Sequence, residues 1–179
     1  MAALQGSDRE GERASAPPAR PPEGPVSVER ITHQDVPEIC GLYRRVWEST
    51  PNPGLPSELV KSWQPTPLEF TSWMEGVTYF AARRDGRLLG VVGCEVAHGN
   101  CHLVHLAVDP EARRKGIGSA LVAAGVEWAR HANAVEVWAD ALARFSPALA
   151  LYKHLGFSEC GVLHKHEWNE DVRLFERIL

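Results

Sequence analysis

The strongest constraint on the fold lies in residues 100–120, which read NCHLVHLAVDPEARRKGIGSA. An apolar strand leads there directly into a glycine-rich turn that opens a helix. Gly116 and Gly118 have no side chains, so a ligand can approach the backbone closely, and the first amides of a helix have no partners within it. The turn also carries three consecutive cations, Arg113, Arg114 and Lys115. Free amides, the helix dipole and these cations all favour an anion, so the segment predicts a phosphate-binding turn.

The spacing of this turn separates it from two common phosphate loops. It contains neither Gly-x-x-x-x-Gly-Lys-Ser/Thr nor Gly-x-Gly-x-x-Gly, so neither a P-loop nor a dinucleotide-binding fold is supported. What remains is Arg-x-x-Gly-x-Gly over residues 113–118, preceded by LAVDP at residues 106–110. With these residues the chain resembles the GNAT superfamily of acetyl-CoA-dependent N-acetyltransferases, over about residues 26–179.

The resemblance implies a coenzyme A site on this segment. In the family such a loop holds the pyrophosphate of coenzyme A, and the preceding strand pairs through its backbone with the pantetheine arm. The residues that would bind acetyl-CoA, as a cosubstrate, are Leu106, Ala107, Val108, Arg113, Arg114, Lys115, Gly116, Ile117, Gly118 and Ser119. Leu106 and Val108 are at the same time ordinary candidates for the core.

A second segment, ALALYKHLGF at residues 148–157, resembles the other signature of the family, a helix that ends in Leu-Tyr-x-x-Leu-Gly-Phe. Phe145 departs from the family, which often has an Asn at this position that helps to hold coenzyme A. A phenyl ring makes no such hydrogen bond. Either the affinity for the cofactor is weaker, or another group such as Ser146 compensates.

Composition argues against several classes of protein. A formal net charge of -4 argues against a general nucleic-acid surface. The four cysteines are widely spaced without a CxxC pair, so we expect reduced thiols. Apolar stretches fall short of the ~20 residues of a membrane span, and the N-terminus lacks an apolar signal core. We therefore expect a soluble cytoplasmic protein without nucleic-acid or membrane partners; a homodimer is retained as an alternative to a monomer.

Apolar periodicity predicts an α/β protein, and the order of elements is that of the GNAT fold, a single mixed β-sheet with flanking helices. Residues 1–25 are predicted to be a disordered tail, and residues 26–179 one acetyltransferase domain. The predicted strands are residues 26–31, 78–83, 88–97, 101–108, 135–139, 161–168 and 172–178. The predicted helices are residues 35–47, 116–131 and one that follows an N-cap at Ser146 and stops at Gly156, with loops and short helices over residues 49–75. Turns at Asp85-Gly86, residues 98–100 and residues 169–171 join the hairpins.

Acyl transfer from a thioester to an amine requires a donor for the developing oxyanion and a proton for the departing thiolate. Tyr152 matches the family tyrosine that protonates the thiolate of coenzyme A. The tyrosine also shares a helical face with Ala148 and Leu155, so packing alone would explain it. In the family the strand at residues 106–108 splays from its neighbour, which implies that its free backbone amides meet the thioester carbonyl.

The group that removes the proton from the amine is left open between several candidates. His102 lies where some family members place a base, and histidine has a suitable unperturbed pKa. Glu95 on the preceding strand, Asp140 after the short strand, and His105 are alternatives, as is direct loss of the proton to water. On a regular strand the odd separation of His102 and His105 sends their rings to opposite faces unless a bulge intervenes.

His164 and His166 raise the question of a metal. Their spacing places both on one face of a predicted strand, yet two histidines without a matched carboxylate or cysteine nearby do not make a site. We expect no metal and interpret the pair as part of a polar sheet face.

These features predict an N-acetyltransferase that moves an acetyl group from acetyl-CoA to a primary amine by direct attack in a ternary complex. A small molecule or an amino acid is the expected acceptor, and a protein N-terminus or lysine is the alternative. A non-catalytic acyl-CoA sensor is the alternative of another class; Tyr152 and the candidate base argue against it. Four aromatic residues, Trp47, Trp63, Phe70 and Trp73, are expected either to line the acceptor pocket or to anchor a proline-rich segment to the sheet.

Overall fold

A computed structural model describes residues 24–50 and 54–179, so residues 1–23 of the expected tail and residues 51–53 lie outside the described residues. The strands are β1 (Ser27–Arg30), β2 (Thr78–Arg84), β3 (Arg87–Ala97), β4 (Asn100–Val108), β5 (Glu136–Leu142), β6 (Ser158–Glu167) and β7 (Glu170–Ile178). The α-helices are α1 (Val36–Ser49), α2 (Ser57–Ser62), α3 (Pro67–Trp73), α4 (Ile117–His131) and α5 (Ser146–His154). A short 3₁₀ turn at His33–Asp35 precedes α1. Another, at Pro110–Ala112, precedes the glycine-rich turn at residues 113–118, which we call the basic turn.

The strands of the described chain form one sheet in the order β1-β2-β3-β4-β5-β7-β6. β4 and β5 are parallel, and the other neighbouring pairs are antiparallel. The connection from β4 to β5 contains α4, since parallel neighbours need a crossover. The prediction of a single mixed sheet with flanking helices is confirmed.

Tight turns with two residues at positive φ join three of the antiparallel pairs. They are Asp85–Gly86, His98–Gly99 and Trp168–Asn169. Turns of this kind match the right-handed twist of the flanking strands. The last turn lies one residue earlier than predicted, so β7 begins at Glu170. β6 begins at Ser158 rather than at residue 161, because its first residues pair with β7 ahead of a shift in register.

Two hydrophobic cores lie on opposite faces of the sheet. α4 and α5 cover one face, where Leu121 is fully buried, while α1 and α3 cover the other, where Ile39 and Phe70 are fully buried. The contact between α4 and β4 is close, because a Cβ on Gly125 would lie 2.6 Å from Leu103 Cδ2. The sheet is thereby fixed on both sides at β4, the strand that carries the candidate site.

β4 contains a bulge. The ladder between β3 and β4 shifts by one residue between Val91 and Gly93. Two residues of β4, His105 and Leu106, therefore lie opposite a single residue of β3. His105 has a φ of 56°, in the left-handed region that non-glycine residues rarely adopt. Bulges re-aim side chains and are frequent beside active sites.

Candidate active site

β4 and β5 separate part-way along their length. They pair only as far as Leu103 and Ala139, although β4 continues to Val108 and β5 to Leu142. Within the described chain, the edge of residues 104–108 that faces β5 has no strand partner. Its backbone N–H and C=O groups are available to an extended ligand. This is the opening that the family resemblance implied for the strand at residues 106–108.

His102 lies in the last part of β4 that pairs with β5 and is held by three neighbours. Its Nε2 is 2.7 Å from Asp140 Oδ1. Its ring stacks on Trp138, with the centroids 3.4 Å apart and an angle of 5° between the planes. Its Nδ1 lies 3.9 Å from Glu95 Oε2, beyond hydrogen-bond distance. When Nε2–H donates to Asp140, the lone pair of the neutral ring is on Nδ1, which is then able to accept a proton.

The bulge brings His105 to the same face of the sheet as His102. The extra residue in β4 removes the alternation that would separate them in a regular strand. His105 contacts Tyr79, which belongs to the core beneath α1 and α3. Tyr79 pairs with Gly93, two residues before Glu95, and so shares a face with that carboxylate. Glu95 in turn pairs with His102.

Three aromatic side chains hold His105. The Tyr79 hydroxyl lies 2.6 Å from Nδ1, and the ring stacks on Trp73 with the centroids 4.3 Å apart. The Tyr43 hydroxyl donates to the carbonyl oxygen of His105 at 2.6 Å. The residue is exposed on one side, but the protein atoms packed around its ring displace water. This loss of hydration, followed by the charge on His102, lowers the pKa of His105 to about 4. His105 is therefore neutral near pH 7 and a poor general base there.

Tyr152 lies on α5 and is buried against two phenylalanines. Its ring centroid is 5.6 Å from that of Phe157 and 5.5 Å from that of Phe175. Burial raises the pKa of the phenol well above its ordinary value, and the negative charge of Asp140 raises it further. The hydroxyl thus stays protonated near neutral pH, and Asp140 lies close enough to affect it. Tyr152 thus packs in the core, within range of the charge of Asp140.

Carboxylates from three strands converge on this cleft. Glu95 on β3 and Asp140 on β5 are partly exposed beside His102. Glu167, at the end of β6, has a pKa raised first by burial and then by the charge of Asp140.

The sequence analysis named Glu95 and Asp140 but missed Glu167, because no local pattern shows that the β6–β7 hairpin reaches back to β5. It also missed Tyr79 and Trp138, because aromatic residues are common in strands and nothing in the local sequence distinguishes these two.

The predicted phosphate turn is exposed and ends in an open helix terminus. Gly116 precedes α4 with a φ of 81° and supplies no side-chain cap. The first hydrogen bond of the helix runs from the Ala120 amide to the Gly116 carbonyl oxygen. The amides of Ile117, Gly118 and Ser119 precede it, while the Ile117 side chain itself belongs to the core.

The cations of the turn differ in their contacts. Arg113 donates from Nε to the Val108 carbonyl oxygen at 3.3 Å and from Nη2 to Thr50 Oγ1 at 3.1 Å, so it ties the turn to the end of α1. Arg114 and Lys115 are exposed. Asp109, which precedes the turn, is only 1% exposed, although no local sequence pattern predicts its burial. Its carboxylate contacts two arginines, Arg45 at 3.2 Å and Arg87 at 3.5 Å.

The other predicted cofactor residues line the cleft mainly with backbone. Leu106 and Val108 pack against the core beneath α4, and Ala107 is buried in the opposite core. A Cβ on Gly118 would lie 3.1 Å from Leu151 Cδ2, so this glycine faces α5. Gly118 therefore serves helix packing as well as access to the backbone.

The beginning of α5 differs from the prediction. Phe145 is the N-cap residue, and its side chain makes no capping bond, whereas Ser146 is the first residue of the helix. The Phe145 ring lies 5.8 Å from Trp47 and 5.9 Å from Trp63, which are themselves 4.4 Å apart. We call Trp47, Trp63 and Phe145 the aromatic cluster; it joins α1, the end of α2 and the start of α5. This packing, rather than a hydroxyl cap, explains the local geometry.

The described residues contain no group of three or more His, Cys, Asp or Glu side chains arranged to hold a metal ion. His164 instead lies 3.2 Å from Asp171 Oδ2, in a stretch where the ladder between β6 and β7 is irregular. No described helix is long and apolar enough to span a membrane.

Comparison with known proteins agrees with this geometry. The sequence model of the acetyltransferase (GNAT) family matches residues 39–157, which include β3, β4 and β5, the basic turn and Tyr152. The chain belongs to the GNAT family. The predicted family is thereby confirmed, and acetyltransferases of this family take the acetyl group from acetyl-CoA, in agreement with the predicted donor.

Individual relatives of this GNAT chain act on different molecules. The mycothiol acetyltransferase of Clavibacter michiganensis is 30% identical over 180 residues, which cover 90% of this chain and 55% of that protein. The chain thus spans about half the length of this relative. The ribosomal-protein-S18-alanine N-acetyltransferase of Escherichia coli shares the fold, with a TM-score of 0.69, 20% identity and coverage of 86% and 93% of the two chains. The PaiA N-acetyltransferase of Thermoplasma acidophilum, solved in complex with coenzyme A, gives a TM-score of 0.72 at 16% identity and covers 87% and 99%.

Proposed function

We propose that this GNAT protein is an acetyl-CoA-dependent N-acetyltransferase that acetylates the primary amine of a small molecule or an amino acid. The separation of β4 from β5 beyond Leu103 and Ala139 carries the proposal. A thioester that lies along the free edge of β4 would meet a proton acceptor, His102, and a proton donor, Tyr152, in the same cleft. A binding module would need the opening but not the two proton-transfer groups.

The exposed turn supports binding of the donor. The open amides at the start of α4 and the exposed guanidinium of Arg114 suit the pyrophosphate of coenzyme A. Arg113 has a supporting role, because its hydrogen bonds to the Val108 carbonyl oxygen and to Thr50 fix the shape of the turn. The pantetheine arm would then run along residues 104–108 and pair with the backbone.

Deprotonation of the acceptor is the first chemical requirement, because an ammonium has no lone pair for attack. His102 Nδ1 takes this proton, either directly or through one water molecule. The Asp140 carboxylate, 2.7 Å from Nε2, stabilises the imidazolium that results. The neutral amine nitrogen then attacks the thioester carbonyl carbon.

Collapse of the tetrahedral intermediate completes the transfer. The developing oxyanion accepts hydrogen bonds from free amides on the β4 edge. The carbon–sulfur bond breaks, its electron pair goes to sulfur, and the Tyr152 hydroxyl supplies the proton. The nitrogen of the intermediate still carries an excess proton, which it loses to the Tyr152 phenolate. His102 releases its proton to solvent as the amide product and coenzyme A leave.

The charge of the cleft supports a cationic amine as the acceptor. Glu95, Asp140 and Glu167 would attract an ammonium group. A protein N-terminus is the second candidate. The exposed Trp168 at the β6–β7 turn favours it, because an apolar rim suits a longer acceptor.

Release of thiol from acetyl-CoA in the presence of an amine panel tests the proposal. The panel contains alkylamines, amino acids, amino acid amides and short peptides. We expect turnover with small amines that exceeds turnover with peptides, and an acetylated product by mass spectrometry. Turnover with peptides alone would favour the second candidate. Thermal stabilisation by acetyl-CoA without thiol release from any amine would identify a sensor and contradict the proposal.

A further inference from the structure

His105 combines exposure with a strained and firmly held backbone. It has a φ of 56° at the bulge and is exposed to solvent on the cleft side. Two buried tyrosines fix it, Tyr43 through the main-chain carbonyl and Tyr79 through the ring. Non-glycine residues in the left-handed region persist only where the surroundings enforce them, and such sites are concentrated where function needs a preset geometry.

The contact with Tyr79 decides which ring nitrogen carries the proton. A phenol is a strong donor and a weak acceptor, and an imidazole nitrogen is a good acceptor, so the 2.6 Å contact is best made with the hydroxyl donating to Nδ1. Burial raises the pKa of Tyr79, which keeps the hydroxyl protonated, and lowers the pKa of His105 to about 4, which keeps the ring neutral. The single ring proton is then on Nε2.

The Nε2–H group is directed away from the core. Nδ1 is turned toward Tyr79, so the opposite edge of the ring is the exposed one, and Trp73 covers one face. Within residues 24–50 and 54–179, His105 has no second hydrogen bond that would use Nε2. A donor of fixed direction is thus available on the same face of the sheet as His102.

We propose that His105 is a specificity-determining residue whose Nε2–H donates a hydrogen bond to an oxygen of the acceptor beside the reacting amine. The inference rests on the proposed function and narrows its substrate class. The ammonium lies near the carboxylates of Glu95 and Asp140, and the oxygen lies at His105. Acceptors with an oxygen next to the amine-bearing carbon, namely amino acids, their amides and N-terminal residues, are therefore preferred over alkylamines. Tyr79 is a positioning residue that sets the tautomer.

A matched pair of acceptors tests the hydrogen bond. L-Alaninamide carries the carbonyl oxygen, and sec-butylamine has a similar shape without it. One hydrogen bond of about 1.4 kcal/mol is worth a factor of ten, so His105→Ala should lower the ratio of kcat/KM for the two acceptors about tenfold relative to the unmodified enzyme. The change should lie mainly in the KM of L-alaninamide. Differences in amine basicity cancel in this double ratio.

Conservative variants separate recognition from support of the fold. His105→Gln retains an N–H donor and should recover part of the ratio lost in His105→Ala. Tyr79→Phe and Tyr43→Phe each lose one buried hydroxyl, but only Tyr79→Phe releases the ring, so only it should lower the ratio. An equal loss with both acceptors in His105→Ala, or an equal effect of the two tyrosine variants, would overturn the proposal.

The tautomer has a readout that needs no activity. ¹⁵N NMR of histidine-labelled protein at pH 7 should show His105 neutral with the proton on Nε2, and Tyr79→Phe should change this pattern. A proton on Nδ1 or an imidazolium at this pH would overturn the inference even if amines are acetylated. Failure of every amine to react would contradict the proposed function instead, and leave the NMR result as a separate test.

Discussion

In the proposed reaction His102 accepts a proton and Tyr152 donates one, and the groups around each side chain suit its role. His102 lies between the carboxylates of Glu95 and Asp140, and its contact with Asp140 through Nε2 leaves Nδ1 as the ring atom that can accept a proton. Tyr152 lies among aromatic rings beside the negative charge of Asp140, which favours its neutral form. A phenol held in that form is available as a donor when a thiolate appears nearby.

Replacement of Tyr152 by Phe should therefore lower kcat by ~10²–10⁴-fold, because the acid is lost while the ring still packs. The Kd for acetyl-CoA, measured by calorimetry, should change little. Rapid-quench kinetics should be used to confirm that chemistry limits turnover. A variant that turns over at the unmodified rate under those conditions would remove Tyr152 from the mechanism.

The two histidines should differ in their effect on the pH profile. A base must be unprotonated in the free enzyme, so kcat/KM falls on the acid side of its pKa. His102→Ala should alter this acid limb. His105→Ala should leave its midpoint in place, since the pKa of His105 is about 4 and lies below the working range. A limb that changes only in His105→Ala would assign the base to the bulge.

At the scale of elements, the sequence predicted most strands and helices but not the irregularities that build the site. Asp85-Gly86 signals its hairpin because both residues adopt positive φ readily. The bulge at His105 has no such signal, since a histidine in the left-handed region is held there by Tyr43 and Tyr79, residues distant in sequence. The bulge that the sequence analysis left open is therefore present, and it brings the two histidines to one face of the sheet.

The same limit applies to the start of α5. Ser146 followed by Pro147 has the residue types of a capped helix start, yet the cap position is Phe145. Packing of that ring against Trp47 and Trp63 determines the entry into the helix. A contact between elements far apart in the chain therefore determines where this helix begins, rather than the local preference of Ser146 for a cap position.

The basic turn allows a prediction about a single charge. Arg114→Ala should raise the Kd for acetyl-CoA about tenfold at low salt, as expected for loss of one charge-assisted hydrogen bond of about 1.5 kcal/mol. Arg130→Ala is the matched control, because it removes an exposed charge in the last turn of the same helix. Calorimetry should show a change only in the first variant. Equal affinities in the two variants would place the pyrophosphate elsewhere.

A bulky residue at Gly118 is a poor test of the same turn. A Cβ there would already lie 3.1 Å from Leu151, so a large side chain would also displace α5. Loss of binding in such a variant would not distinguish a blocked phosphate site from a disturbed helix contact.

At the scale of the whole molecule, the predicted fold was confirmed because two signatures and the apolar periodicity agree over most of the chain. The cleft was predicted only in outline. Its walls come from β3, β4, β5, β6 and α3, and nothing in the sequence shows that Glu167 approaches Asp140. The acceptor end is built from contacts between elements far apart in sequence, so it could not be derived from local pattern.

The aromatic residues of this region have two roles: some stabilise the fold and others line the cleft. Trp63 belongs to the aromatic cluster and is only partly buried, so Trp63→Ala should lower the free energy of unfolding by about 2 kcal/mol and lower Tm by roughly 4–8 °C. Trp73 stacks on His105, so Trp73→Ala should raise the KM of the acceptor and spare that of acetyl-CoA. Calorimetric melting and two-substrate kinetics on both variants measure the difference. If both variants lower Tm and neither changes the KM of the acceptor specifically, an open cleft and a peptide acceptor are favoured.

A single-turnover experiment tests direct attack in a ternary complex. Enzyme in excess over acetyl-CoA is mixed with an amine that the panel shows to be an acceptor, or with buffer, and both products are measured by mass spectrometry. We predict one acetylated amine for each coenzyme A released, no release without amine, and no acetylated protein at any time. Release of coenzyme A with formation of an acetyl-enzyme before amine is added would contradict direct attack in a ternary complex.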